Sequence, residues 1–266
     1  MKEVIRNLWK LTLHLGYKFA PRKIISILER DWDYLIVLDA CRYDDFAKIN
    51  SIPGRLSRYY SNGSSTLEWL QKNFNRKCDD VVYFSANPKI SNVMLRKYFG
   101  FSPFFKVIPI WKWCWNKHFN TVLPQSVNEI VLENLENFKD TRRIIHYMQP
   151  HHPFLTLPVK DKPLPYDYDD NSFVRRIKKR VFIGDIGIIW EKLRKKEIDV
   201  NTVRNAYRKN IEIVLKAVEK LLPYLDGKVV ITSDHGNLFG EYFLYAHPYG
   251  IYVRPLVEVP WLEVEK

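Results

Sequence analysis

Cysteine is scarce in this chain. Cys41, Cys78 and Cys114 lie far apart, with no C-x-x-C pair among them. That argues against a disulfide framework and for a reducing compartment, so a cytoplasmic location is expected. Long apolar runs are also lacking. No stretch reaches the roughly 18–20 residues a membrane-spanning helix needs. The opening "MKEVIRNLWKLTLHLGYKFAPRK" places Arg6 and Lys10 inside its apolar stretch and has no A-x-A pattern, so it does not read as a signal peptide. Linkers rich in Gly, Ser or Pro, internal repeats and low-complexity tracts are all missing. One domain over 1–266 is therefore expected, with 1–30 as an N-terminal helical extension and 155–200 as an insertion over the site. Zinc-finger, helix-turn-helix and RNA-recognition patterns are absent, and no nucleic-acid partner is expected.

What the chain has is apolar bulk and positive charge. Of its 266 residues 46% are hydrophobic, enough for a large α/β core, and the formal net charge is +12. Such a surface attracts anions, whether phosphorylated small molecules, glycans or lipids. Val4, Ile5, Leu8, Leu11 and Leu15 fall on one helical face, with Lys2, Arg6 and Lys10 off it. That face suits a helix packed on the body of the protein, or one resting peripherally on an anionic membrane.

Strand and helix patterns alternate along the chain. "DYLIVLDA" (33–40), "VVYFSA" (81–86), "RRIIHYMQPHHPF" (142–154, broken at Pro150), "GKVVITSD" (227–234) and "LVEVPWLEV" (256–264) read as strands. "SSTLEWLQKNF" (64–74), "SVNEIVLENLENF" (126–138) and "TVRNAYRKNIEIVLKAVEKLL" (202–222) read as helices. The alternation predicts an α/β three-layer sandwich, a mostly parallel central sheet flanked by helices. Asp39, His151, Asp234 and His235 each follow a predicted strand. If the strands are parallel, these residues gather along one sheet edge, where such folds bind ligands.

Two aspartates with histidines are donors for a divalent cation, Zn²⁺ or Mn²⁺ more than Ca²⁺, with Mg²⁺ also compatible. "SNGSSTLEW" offers hydroxyls at a helix N-terminus, where unpaired backbone N–H groups favour an anion. A Ser or Thr there is either a helix cap or a nucleophile. Cys41, beside Arg42, is a second candidate nucleophile, and packing is its plainer role.

These pieces, in this order, resemble the sulfatase-like branch of the alkaline phosphatase superfamily, which includes arylsulfatases, lipoteichoic acid synthases and phosphoethanolamine transferases. "LIVLDACRYDDF" is similar to its first metal-binding strand and "GSSTLEW" to its nucleophile segment. "QPHHPF" is similar to its His-x-Pro segment and "VVITSDHGNLFGE" to its Asp-His-Gly signature. The resemblance implies that Asp39, Asp234 and His235 hold one divalent cation. It puts the nucleophile at Ser65, with Thr66 as competitor and Ser64 third. His151, with His152 beside it, and His247, twelve residues past His235, are implied at the substrate or a second metal. No Cys-x-Pro-x-Arg stands at the nucleophile position, which turns the implied chemistry from sulfate toward phosphate esters. The implied activity is metal-dependent hydrolysis or transfer of a phosphoryl group through a seryl intermediate. The alternatives are a sulfuric ester hydrolase and a vestigial binding protein of the same fold. "YDYDD" (166–170) has acids without a nearby histidine, so one metal is expected rather than two. The basic run "RRIKKR" (175–180) is a candidate for holding a second anionic group.

Overall fold

The apolar run before Asp39 forms strand β1 (Tyr34–Leu38), and every residue in it is buried. In the computed structural model, which describes residues 26–157 and 187–265, β1 lies at the centre of a seven-stranded sheet. The other strands are β2 (Gly54–Tyr60), β3 (Cys78–Ser85), β4 (Phe104–Pro109), β5 (Arg142–Tyr147), β6 (Val229–Thr232) and β7 (Glu258–Val264). Their order is β2-β7-β6-β1-β5-β3-β4. β1 pairs in parallel with both β5 and β6, and β3 pairs in parallel with β5 and β4. Only β7 runs against its neighbours, between β6 and β2.

A strand buried on both faces alternates its side chains between two cores. Tyr34, Ile36 and Leu38 face one side. There they join Phe46 of α1 (Tyr43–Ile49), Val127 and Val131 of α4 (Pro124–Glu133), Trp190 of α5 (Ile188–Arg194) and the apolar stripe of α6 (Val200–Leu221). Leu35 and Val37 face the other side, with Trp69 and Leu70 of α2 (Thr66–Asn73) and Leu95 of α3 (Asn92–Phe99). The molecule is thus an α/β sandwich of three layers with a mostly parallel sheet, as its alternating pattern predicts.

α6 starts where Asp199 caps it by accepting from the N–H groups of Asn201 and Thr202. The predicted N-terminal amphipathic face, "YDYDD" and "RRIKKR" lie outside the described residues. Of the proposed 155–200 insertion, residues 155–157 and 187–200 are described, and they include α5. Among the described residues, no helix is long and apolar enough to cross a membrane.

Candidate metal centre

The carboxyl ends of parallel strands open on one edge of the sheet, and the site is assembled there. Asp39 directly follows β1, Asp234 and His235 follow β6 after Ser233, and His151 lies beyond β5. Among the described residues, Asp39, Asp234 and His235 form the group whose ligand atoms all lie within 4.8 Å of one another, and all three are buried. His235 Nε2 lies 3.7 Å from Asp39 Oδ1 and 3.4 Å from Asp234 Oδ2. His235 Nδ1 is 2.7 Å from the Gly236 carbonyl, to which it must donate, so Nε2 turns its lone pair toward the two carboxylates.

The turn after β1 is held by several other segments. Ala40 N–H donates to Asp234 Oδ1 at 3.1 Å, and Cys41 N–H donates to Ser233 Oγ at 2.8 Å. Arg42 N–H donates to Tyr207 Oη, which in turn donates to the Ala40 carbonyl, each at 2.8 Å. Ala40 sits at φ 62, a left-handed conformation that costs a residue with a Cβ about 1 kcal/mol or more. The bonds around it hold it there and fix the direction of Asp39. Gly236 answers a different demand. A Cβ at this position would meet the Pro255 carbonyl oxygen at 2.0 Å, so close packing rather than a special turn selects glycine.

Whether these residues suit a cation is decided by what they lack. Asp39 Oδ1 and Asp234 Oδ2 are buried without a hydrogen-bond partner. Burial by itself would raise the Asp39 carboxyl, but His146, His235 and Lys89 outweigh it and hold it below the usual carboxylate range. Two buried carboxylates with bare oxygens aimed at one imidazole nitrogen fit a divalent cation of mixed oxygen and nitrogen preference.

The candidate nucleophiles stand at the start of α2. Ser65 is its N-cap, yet its Oγ makes no cap bond and is buried without a partner. Thr66 Oγ1 lies 3.4 Å from His235 Nε2. Ser64 is tied elsewhere: its Oγ lies 2.9 Å from Glu68 Oε2 and 3.0 Å from the Pro248 carbonyl. Glu68 also accepts from Ser64 N–H, reaching back one residue further than a capping box does, and this leaves the Ser65 hydroxyl unused.

His151 and His247 meet with their Nε2 atoms 2.9 Å apart, and the His247 ring lies 4.4 Å from that of His235. Burial, with the charge of Lys89, pushes His151 down to about 3. Burial also lowers His152 and His247 well below the usual histidine range. Two Nε2 atoms at 2.9 Å share one hydrogen, so one ring donates and the other accepts. His151 Nδ1 donates to the His152 carbonyl at 2.5 Å, so its Nε2 is an acceptor and His247 Nε2 carries the hydrogen between them. His152 stacks on His151 and accepts from Trp190 Nε1 at 3.2 Å, so it buttresses the pair from the α5 side. Asn210 of α6 holds the same loop, donating to the carbonyls of His151 and Pro153 and accepting from Leu155 N–H.

Three residues near the site carry no signal in the sequence. Asn87, past β3, donates to Asp39 Oδ2 at 2.6 Å. Lys89 acts on Asp39, His151, His152 and His247 through its charge. His146, within β5, lies 3.6 Å from Asp39 Oδ2 and 4.0 Å from Asp234 Oδ2. A lone histidine inside a strand reads as core, and only the parallel register reveals its neighbours. Cys41 takes the plainer of its two readings, a packed residue and not one activated by Arg42. It is fully buried, and burial followed by the charges of Asp45, Asp44 and Asp234 drives its thiol up. Arg42 itself is committed to Asp44 and Glu241.

The fold is similar to that of solved structures from the alkaline phosphatase superfamily. Among solved structures, the soluble domain of lipooligosaccharide phosphoethanolamine transferase A from Neisseria meningitidis is 15% identical over 92% of this chain and 78% of its own, with a TM-score of 0.54. The C-terminal periplasmic domain of a phosphoethanolamine transferase from Campylobacter jejuni is 15% identical over 91% and 82%, with a TM-score of 0.54. An alkaline phosphatase superfamily protein from Vibrio parahaemolyticus is 11% identical over 98% and 69%, with a TM-score of 0.50. No family model and no curated protein matches the sequence. The expected cytoplasmic location is corrected by these neighbours, since the C. jejuni chain is a periplasmic domain. The cysteines that suggested a reducing compartment are poor witnesses to it: Cys41 and Cys78 are buried and report packing, not redox conditions.

Proposed function

We propose that this chain is a metal-dependent enzyme that transfers or hydrolyses phosphoryl groups of phosphate esters through a covalent intermediate on Thr66 or Ser65. The observation that carries this reading is the pair of buried, unpartnered carboxylate oxygens facing His235 Nε2, with a hydroxyl of the α2 N-terminus 3.4 Å from that nitrogen. Asp39, Asp234 and His235 would hold the cation, and zinc or manganese matches their donor set best. When bound, the cation supplies Lewis-acid polarisation and lowers the pKa of the neighbouring hydroxyl.

The chain's own groups do the rest. The 3.4 Å contact favours Thr66 over Ser65 as nucleophile. Its hydroxyl oxygen attacks phosphorus and gives up its proton to solvent, and the bond from phosphorus to the leaving alcohol breaks on the far side. His247 Nε2–H can donate a hydrogen bond to the departing oxygen, and solvent supplies the proton that this oxygen takes up. Lys89 provides positive charge for the phosphate. Water or an acceptor hydroxyl then attacks phosphorus, which restores the side-chain hydroxyl. The likeness to phosphoethanolamine transferases, one of them acting on lipooligosaccharide and one a periplasmic domain, favours a phosphate carried on a lipid or glycan, in a setting outside the cytoplasm.

The test is turnover of aryl phosphomonoesters, phosphodiesters and sulfate esters with Zn²⁺ or Mn²⁺, with and without chelator. Phosphate-ester turnover that vanishes with chelator is expected, with a loss of at least ~100-fold in Thr66→Val and a smaller loss in Ser65→Ala. Full activity in Thr66→Val with none in Ser65→Ala would move the nucleophile one residue back. Turnover of sulfate esters alone would install the sulfuric ester reading. Metal binding without any turnover would favour the vestigial one.

A further inference from the structure

Glu68 lies in the first turn of α2, two residues past Thr66, and only 2% of it is exposed. A carboxylate that deep needs partners at both oxygens. Oε2 accepts from Ser64 N–H at 3.0 Å and lies 2.9 Å from Ser64 Oγ, and it accepts from Gly250 N–H at 3.4 Å. Oε1 accepts from Lys72 Nζ at 2.8 Å and from Tyr252 Oη. Lys72 directs its other hydrogens close by, to Tyr252 Oη at 2.5 Å and to the Asn62 carbonyl at 2.9 Å. One buried carboxylate thus joins the segment that carries the candidate hydroxyls to residues 250–252.

Those residues come just after His247 in the chain. The stretch between is tied to the same place. Ser64 Oγ lies 3.0 Å from the Pro248 carbonyl and accepts from Ile251 N–H at 3.3 Å, and Tyr249 Oη donates to Gln71 Oε1 of α2 at 3.4 Å. Residues 248–252 are therefore seated on α2 and on the turn before it. His151, which meets His247 at 2.9 Å, is held separately, by Asn210 of α6 at its carbonyl. We propose that Glu68 is a positioning residue, which fixes His247 against the departing oxygen while the same turn of α2 presents the nucleophile. The proposal rests on the phosphoryl-transfer reading above. A hydrogen bond to an oxygen that gains charge in the transition state loses its value steeply when the donor is displaced, and it matters most for an alcohol that leaves reluctantly.

The test uses the full chain with Zn²⁺ and measures kcat and KM on two phosphodiesters, a 4-nitrophenyl ester and a phenyl ester, whose alcohol leaves less readily. Glu68→Gln should lower kcat about 10-fold on the nitrophenyl ester and about 100-fold on the phenyl ester, with KM and bound metal unchanged. A merely structural role would lower the folded or metal-loaded fraction and reduce both rates alike. Added to His247→Gln, the same change should cost less than about 3-fold more, because Glu68 acts through that histidine. Equal losses on the two esters, an unaltered kcat in folded Glu68→Gln, or the full loss again in the double variant would overturn the proposal. Should Glu68→Gln fail to fold, Tyr252→Phe decides by the same split between esters, since it keeps the ring and removes only the hydroxyl that Glu68 holds. An unaltered protein that turns over neither ester brings down the phosphoryl-transfer reading and this inference together; equal losses in an active enzyme bring down this inference alone.

Discussion

Asp234 divides its carboxylate between two tasks, and the division can be tested at one atom. Oδ1 accepts from the Ala40 and His235 N–H groups, while Oδ2 has no partner. Asn at this position keeps the first acceptor and removes the charge. Asp234→Asn is therefore expected to lose bound metal, read by elemental analysis, and to melt about 2–4 °C higher than the metal-free wild type by relieving an unanswered buried charge. An unchanged metal content would defeat the ligand assignment. Cys41 gives a second residue-level expectation. Buried with its thiol driven up, it should resist thiol reagents in the native state and react only on unfolding, leaving half-buried Cys114 as the accessible cysteine. Rapid modification of Cys41 with loss of activity would revive it as a nucleophile. At this scale the sequence was readable where a strand delivers a residue at its end, as with Asp39, Asp234 and His235. It was silent at His146, Asn87 and Lys89, whose importance comes from register and distance rather than spacing along the chain.

The contact between α1 and α6 is electrostatic. Asp45 of α1 is buried and takes Arg204 at 3.1 Å and Arg208 at 2.8 Å, both from α6, while Asp44 takes Arg42 and Arg204. Glu241 adds a bond to Arg42 at 2.6 Å and accepts from Phe239 N–H. Burial alone would raise Asp44 and Glu241, but the hydrogen bonds and charge of Arg42 prevail and hold both carboxyls below their ordinary values. A depressed carboxyl stabilises the fold above the unfolded-state pKa. That contribution is lost as pH falls through the folded one, because the unfolded chain takes up protons first. The urea midpoint should therefore fall as pH drops below about 4.5, and Glu241→Gln should flatten part of that fall. An identical pH profile in the variant would show that this bond contributes nothing. Elements with a buried face were legible in advance, α6 most clearly. The edge strands β2 and β4 were not, because "GRLSRYY" and "FFKVIP" mix exposed, basic and apolar positions, as edges do, and so imitate loops.

Across the whole molecule, alternating strands and helices gave the layered architecture and the common edge for the site, since right-handed crossovers leave parallel strands few other arrangements. The strand order was hidden, because nothing local says that β7 enters between β6 and β2. That entry has a consequence for how the protein is made. Among the described residues β2 has no sheet neighbour other than β7, which lies about 200 residues later and must leave the ribosome before β2 can pair with it. Until then β2 and the outer side of β6 are both unpaired edges, exposed to wrong partners through most of synthesis. Pulsed hydrogen exchange on stalled chains ending before Glu258 should find the amides of β2 unprotected, with protection arriving only once β7 is released. Early protection of β2 would mean that it first pairs elsewhere. Of the seven strands of this sheet, the last to be synthesised is therefore the one that closes it, and translation itself sets the clock for building the sheet.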